Sequence, residues 1–215
     1  AASKRAWPWA GASNTSAASG VLSITIDTTV ATPTLALNSD TGSSSSDRTS
    51  SNGVINVGSL ESGGTWEYST DSGSTWTTGS GSTFTLSEGS YSAGQVQVKQ
   101  TDKAGNTSSS ASLGATTIDD TDPSAPTLAL TSDTGSSTSD RISKEGEVTV
   151  SGIESGATWQ YSTDGGSTWT SGTGTTFTLS AGTYAAGDIK VRQTDKAGNL
   201  GSEGSLGATV IDTTV

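Results

Sequence analysis

The chain has 215 residues, a net charge of −11 and a pI near 4.2, with 14% charged and 29% hydrophobic residues. Leu, Ile, Val and Phe fill so few positions that any core must be small and ordered by pattern or by bound ions. The absence of cysteine and histidine excludes disulfides, thiolate zinc sites and Ser-His-Asp triads, and the acidity opposes nucleic acid and anionic membrane as partners.

In chain order, residues 1–9, with Trp7-Pro8-Trp9, fit no repeat and read as a tag or unassigned segment. Residues 10–26 read as the last strand of an incomplete preceding repeat, because Asn14-Thr15-Ser16 precedes Ile26 as Asn106-Thr107-Ser108 precedes Ile118. Two full repeats follow, residues 27–118 and 119–215. Thr34-Leu35-Ala36-Leu37 recurs as Thr127-Leu128-Ala129-Leu130, an offset of 93 that carries Trp66 to Trp159, Phe84 to Phe177 and Tyr91 to Tyr184 without a gap. The closing Val210-Ile211-Asp212-Thr213-Thr214-Val215 echoes Thr25-Ile26-Asp27-Thr28-Thr29-Val30, the pattern expected of a piece cut from a longer tandem array.

Within a repeat, Leu35/Leu37, Ile55/Val57, Trp66/Tyr68, Phe84/Leu86 and Val96/Val98 each stand two apart, the period of strands with one wet face. Helical periodicity is missing, and no apolar run approaches the ~20 residues of a membrane helix, so membrane insertion is not expected. Turn signals such as Asp71-Ser72-Gly73 and Ala104-Gly105-Asn106 separate the strands. About seven strands per repeat predict an all-β fold of tandem immunoglobulin-like sandwiches in an extended array. Leu86 through Tyr91 resembles a tyrosine corner, in which the hydroxyl ties a loop to the backbone. Ser69 to Trp76, matched by Ser162 to Trp169, resembles the Asp-box hairpin of sialidases, a folding device remote from any catalytic pocket. Only four arginines are present, so no sialidase site is expected and the chain reads as non-enzymatic. Trp66 and Trp159 share a strand face with Tyr68 and Tyr161 and read as core rather than as sugar platforms.

The acids cluster by position. In a linear array of sandwiches with strands lettered A to G, the A–B loop (residues 39–47 in the first module) lies at the lower pole, and the B–C loop (60–63) and F–G loop (102–106) lie at the upper pole. Asp40 and Asp47 are thus expected to face the linker Asp119-Asp120-Thr121-Asp122 from one side, and Glu154 and Asp195 from the other. Converging carboxylates repel by about a kcal/mol or more per close pair, which a bound Ca²⁺ relieves by taking 6–8 oxygens. The upper pole of the first module repeats the set with Asp27, Glu61 and Asp102, and the lower pole of the second with Asp133, Asp140 and Asp212. The competing role for each is capping of turn backbone, above all at Asp47 and Asp140.

The linkers, Ser-Asp-Thr-Gly, Thr-Trp-x-Tyr-Ser-Thr-Asp-x-Gly-x-Thr-Trp and Gln-Thr-Asp-x-Ala-Gly-Asn together resemble the bacterial Ig-like repeats of giant biofilm-associated-protein-like and RTX-type adhesins, over residues 10–215. That resemblance implies type I secretion, an extracellular place at the bacterial cell surface, and a stalk projecting a ligand-binding tip for adhesion and biofilm formation. It also implies calcium at the junctions, with Asp27, Asp119, Asp120, Asp122 and Asp212 and the loop acids Asp40, Glu61 and Asp102 with their copies as ligands. The first linker, Asp27-Thr28-Thr29-Val30, is one residue shorter and less acidic than the second. The expected partners are adjacent repeats of the same chain, which is itself expected to be monomeric. Surface glycans, or other adhesin stalks in the biofilm matrix, are the alternatives.

Overall fold

The computed structural model describes residues 23–214, and every regular element among them is a strand. The expected tag and most of residues 10–26 therefore lie outside the described residues.

Module one contains β1 (Thr34–Leu37), β2 (Thr49–Ser50), β3 (Val54–Gly58), β4 (Thr65–Ser69), β5 (Thr77–Thr78), β6 (Thr83–Thr85), β7 (Gly89–Tyr91), β8 (Gln97–Thr101), β9 (Ala111–Ser112) and β10 (Thr116–Ile118). Two sheets, β1-β3-β6 and β5-β4-β8-β9, both contribute to one core, with Ile55, Phe84, Trp66 and Val98 meeting between them. A third small sheet, β2-β10-β7, closes one flank, with β10 parallel to β2 and antiparallel to β7. Ten short strands replace the seven expected. The first edge is interrupted by the loop between β1 and β2, the last edge bends at Leu113-Gly114-Ala115, and β7 is an extra rung.

Module two repeats the plan with β11 (Thr127–Leu130), β12 (Ile142–Ser143), β13 (Glu147–Ser151), β14 (Thr158–Ser162), β15 (Thr170–Ser171), β16 (Thr176–Thr178), β17 (Gly182–Tyr184), β18 (Lys190–Thr194), β19 (Gly204–Ser205) and β20 (Thr209–Ile211). Even the register is kept, Leu35 opposite Val57 becoming Leu128 opposite Val150. The molecule is thus all-β, two tandem immunoglobulin-like sandwiches.

Aromatic bulk compensates for the scarcity of aliphatics, as expected. Trp66 lies in the core and its indole N–H donates to the Gly81 carbonyl at 3.0 Å, while Tyr68 stacks on Phe84 at 4.3 Å. A Cβ on Gly79 would stand 2.3 Å from the indole ring, so only glycine lets this strand end lie on it. The tyrosine corner is present in both modules, Tyr91 donating to the Ser87 carbonyl and Tyr184 to that of Ser180, each at 3.0 Å. The Asp-box hairpin is also formed. Asp71 accepts from Thr75 N and from the Ser69 hydroxyl, and Lys99 sits 4.0 Å above the Trp76 ring. Residues 23–26, expected to belong to a strand, form none. Ile26 is 82% exposed where its counterpart Ile118 is 2% exposed, because the described residues supply no sheet for it to pair with.

Candidate functional site at the module junction

The junction is assembled from the linker after β10, the A–B loop of module one (residues 38–48) and the upper loops of module two. A glutamine anchors it. On β18 the residues alternate inward, and Gln193 takes an inward place after Val191, fully buried. Its amide donates to the Ser124 carbonyl at 2.7 Å and the Gly152 carbonyl at 3.0 Å, and its oxygen accepts from Glu154 N at 2.8 Å. Linker, B–C loop and core strand are thereby tied at one point. Gln100 does the same in module one, with Ala31, Ser59 and Glu61. Neither was singled out as a site residue from the sequence; the signal was a polar residue on the core face of an alternating strand, where an unpaired amide would be costly.

The F–G turn folds around its own aspartate. Asp195 accepts from Gly198 N and Asn199 N on Oδ1, at 2.7 and 2.8 Å, and from the Asn199 amide on Oδ2 at 2.7 Å. The same Asn199 amide donates to the Asp119 carbonyl of the linker at 2.7 Å. In module one Asp102 is clamped by Asn106, which also reaches the Asp27 carbonyl at 3.0 Å. The Asn106 side chain holds the Asp102 carboxyl below its ordinary range, against the opposing effect of burial.

The linker acids cap their own turns. Asp27, Asp119 and Asp212 each accept, on Oδ1, from the amide two residues on, and Asp212 accepts in addition from the Thr214 hydroxyl at 2.6 Å, which lowers its pKa. Glu61 accepts from Ala31 N at 2.7 Å. Asp120, Asp122 and Glu154 are exposed. In the A–B loops, Asp47 caps Thr49 N and Asp140 caps Ile142 N, and Asp47 Oδ2 lies 3.8 Å from Lys196 Nζ.

The loops therefore converge as expected, but the carboxylates do not. Among the described residues no three acidic side chains gather into a group that could hold a metal ion. The reason is local: most of these acids turn toward backbone amides one to four residues away.

Asp40 and Asp133 differ from the rest. Each gives one oxygen to an amide, Arg48 N at 3.0 Å and Arg141 N at 2.9 Å, while Oδ1 is buried with no hydrogen-bond partner. A buried acceptor left unmatched costs free energy that a donor or a cation would recover. Both arginines hold left-handed backbone, φ 56° and 61°, which aims their amides at the aspartates. Each of the two aspartates lines a cleft of the same make-up. That of module one is about 390 Å³, bordered by Leu35, Leu37, Ser45, Ser46 and Arg48, and that of module two about 260 Å³, bordered by Leu128, Leu130, Thr138, Ser139 and Arg141. A hard, oxygen-seeking cation finds one carboxylate and a few hydroxyls in this lining, beside leucines and an arginine that offer it no ligand. It fits the F–G aspartates less well, since their oxygens are already saturated by the turn.

No family model matches the chain, and no curated protein does. Among solved structures it is similar to fibronectin(III)-like modules of CbhA from Clostridium thermocellum, at 12% identity and TM-score 0.43, covering 83% of this chain and 94% of that one. It is also similar to a biofilm-associated protein, BSP domain, at 16% identity and TM-score 0.27 over 76% of this chain, which spans 28% of that chain's length.

Proposed function

We propose that this chain is a non-enzymatic stalk or extender segment of a secreted bacterial surface adhesin, with calcium held at the A–B loop of each module. The buried, unpartnered oxygen found at the same place in both modules, on Asp40 and Asp133, carries the calcium reading. The adhesin reading rests on the sequence resemblance and on the head-to-tail succession of two near-identical sandwiches, which is how a stalk gains length. Its clefts are open and lined by leucines, hydroxyls and an arginine, and the acids with shifted pKa values move down rather than toward neutrality, which suits structure rather than acid–base chemistry.

Asp40, with the Ser45 and Ser46 hydroxyls on the same cleft, would hold the ion, which supplies positive charge to an oxygen that otherwise lacks a partner. What the protein gains is an ordered loop of residues 40–48, and this loop carries the residues that touch the next module. Asp133 and Asp140 prepare the same loop for whatever follows module two. The site is weak by design of its composition: one uncapped carboxylate oxygen, not a cage, suits the range of about 10⁻⁴–10⁻³ M typical of extracellular modules.

Thermal melts in EDTA and across a calcium titration test this. At about 10 mM free calcium, a site in that range stabilises its module by about 1.4–2.7 kcal/mol by mass action, which is roughly 5–20 °C for a domain of this size. Asp40→Asn and Asp133→Asn together should abolish the response. A melting temperature that ignores calcium in the parent chain would reduce all of these acids to turn caps.

A further inference from the structure

We infer that consecutive modules also dock directly, without metal, through a latch in which the F–G turn of one module receives the Asp-Thr-Gly loop of the module before it. The Thr41 hydroxyl donates to the Ala197 carbonyl at 2.6 Å, and Ser51 N donates to that same carbonyl at 3.2 Å. Ser51 N also donates to Thr41 Oγ1 at 2.7 Å, so donor and loop are fixed before the contact is made. Module two forms this half alone, Lys144 N donating to Thr134 Oγ1 at 2.9 Å.

Two glycines set the fit. Gly42 and Gly198 both have left-handed backbone, φ +103° and +98°, and they lie against each other across the junction. A Cβ on Gly42 would stand 2.2 Å from the Lys196 carbonyl oxygen, and one on Gly198 would stand 2.8 Å from Gly42 N. Backbone cannot yield as a side chain does, so any residue larger than glycine would push the modules apart. The neighbour, not the module's own fold, creates this burial. Ala197 is fully buried, whereas its counterpart Ala104 is exposed, and a Cβ on Gly105 (φ +93°) would meet nothing within 4 Å among the described residues. The Lys196–Asp47 pair at 3.8 Å is half exposed and adds little.

The interface is small, and the linker is what makes it sufficient, by holding the halves at an effective concentration on the order of millimolar. Both halves recur in each module, as Thr134-Gly135 and as Lys103-Ala104-Gly105-Asn106. The partner this surface fits is therefore another module of the same kind, joined in the same chain.

The test uses the whole chain with spin labels on Thr77→Cys and Thr170→Cys, both exposed, in a protein with no other cysteine. Pulsed dipolar measurements in EDTA should give one narrow distance distribution. Gly198→Val should at least double its width, while Gly105→Val, the same turn with the same backbone, should leave it unchanged and so control for strain. Thr41→Val, which keeps shape and loses the donor, should broaden it, while Thr134→Val, which loses the equivalent bond from Lys144 N within module two, should not. A broad distribution for the parent in EDTA, or equal effects of the two glycine variants, overturns the latch. A distribution that narrows only on adding calcium sinks the latch and leaves the calcium stalk standing. One that is narrow throughout, with melting indifferent to calcium, does the reverse.

Discussion

The upper poles of the two modules share the sequence Asp-Lys-Ala-Gly-Asn, yet only the second has a described module above it. What they have in common is internal: the buried glutamine, the aspartate clamped by its asparagine, and the asparagine amide reaching back to the linker carbonyl. What differs is the buried alanine, the glycine lying on another glycine, and the lysine. Lys103 lies where a Cβ on Gly63 would need to be, while Lys196 extends toward Asp47. The difference separates two layers of design. Each module builds its own pole, finished and hydrogen-bonded, and docking then adds a thin set of contacts without rearranging it.

The largest effects should therefore be equal in the two modules. Gln100→Leu and Gln193→Leu each leave Glu61 N or Glu154 N and two linker or loop carbonyls without partners, a loss of roughly 2–4 kcal/mol per module. Urea melts of the two variants should show like losses of stability. A much smaller loss for Gln100→Leu would mean that the glutamine tie depends on the neighbour, and the two-layer picture would fail.

The asparagines should respond unequally. Asn199 donates to the carbonyl of half-buried Asp119, and Asn106 donates to the carbonyl of exposed Asp27. Water can replace the second bond more readily than the first. Asn199→Ala should cost about 1–2 kcal/mol and Asn106→Ala about half of that. Equal losses would show that the longer, more acidic linker is no better held than the short one.

Much of this was legible in the residues. The offset of 93, the pairs at Ile55/Val57 and Val96/Val98, the tyrosine corner and the buried tryptophans followed from period, spacing and bulk, all of which act locally along a strand. The placement of loops at a shared junction was legible as well, since strand alternation fixes which loops share a pole. What those loops do there was not. Charge alone said that Asp47, Asp119 and Asp195 belong together, but each has a backbone amide closer than any second carboxylate, and the near partner wins. Thr41 and Ala197 stand 156 positions apart and carry no charge or aromatic signal, so only the folded backbone brings them to 2.6 Å. The glutamines could have been found, because a polar residue in phase with Val96 and Val98 must be satisfied from outside its own strand.

The smallest effect concerns acids away from the junction, and it distinguishes saturated carboxylates from free ones. Asp71 and Asp164 have pKa values lowered from 3.8 to about 2, chiefly by the Thr75 and Thr168 hydroxyls, with their backbone amides and a serine hydroxyl adding to the effect. A folded-state pKa below the unfolded one stabilises the protein above pH about 4, and that contribution fades as pH falls toward 2. Both hairpins should weaken together over that window, and Asp71→Asn should flatten the acid response of module one alone. Carbon-detected NMR titration reads the groups directly: Asp71 and Asp164 should titrate together near 2, and a value near 4 for either would mean the hairpin bonds are not kept in solution. The same spectra then follow calcium. Asp71 and Asp164, with every oxygen engaged, should stay still, while Asp40 and Asp133, each with one oxygen free, should shift in both modules at the same calcium concentration. A shift confined to Asp40 would place the ion in the junction itself, with the second module required to complete it.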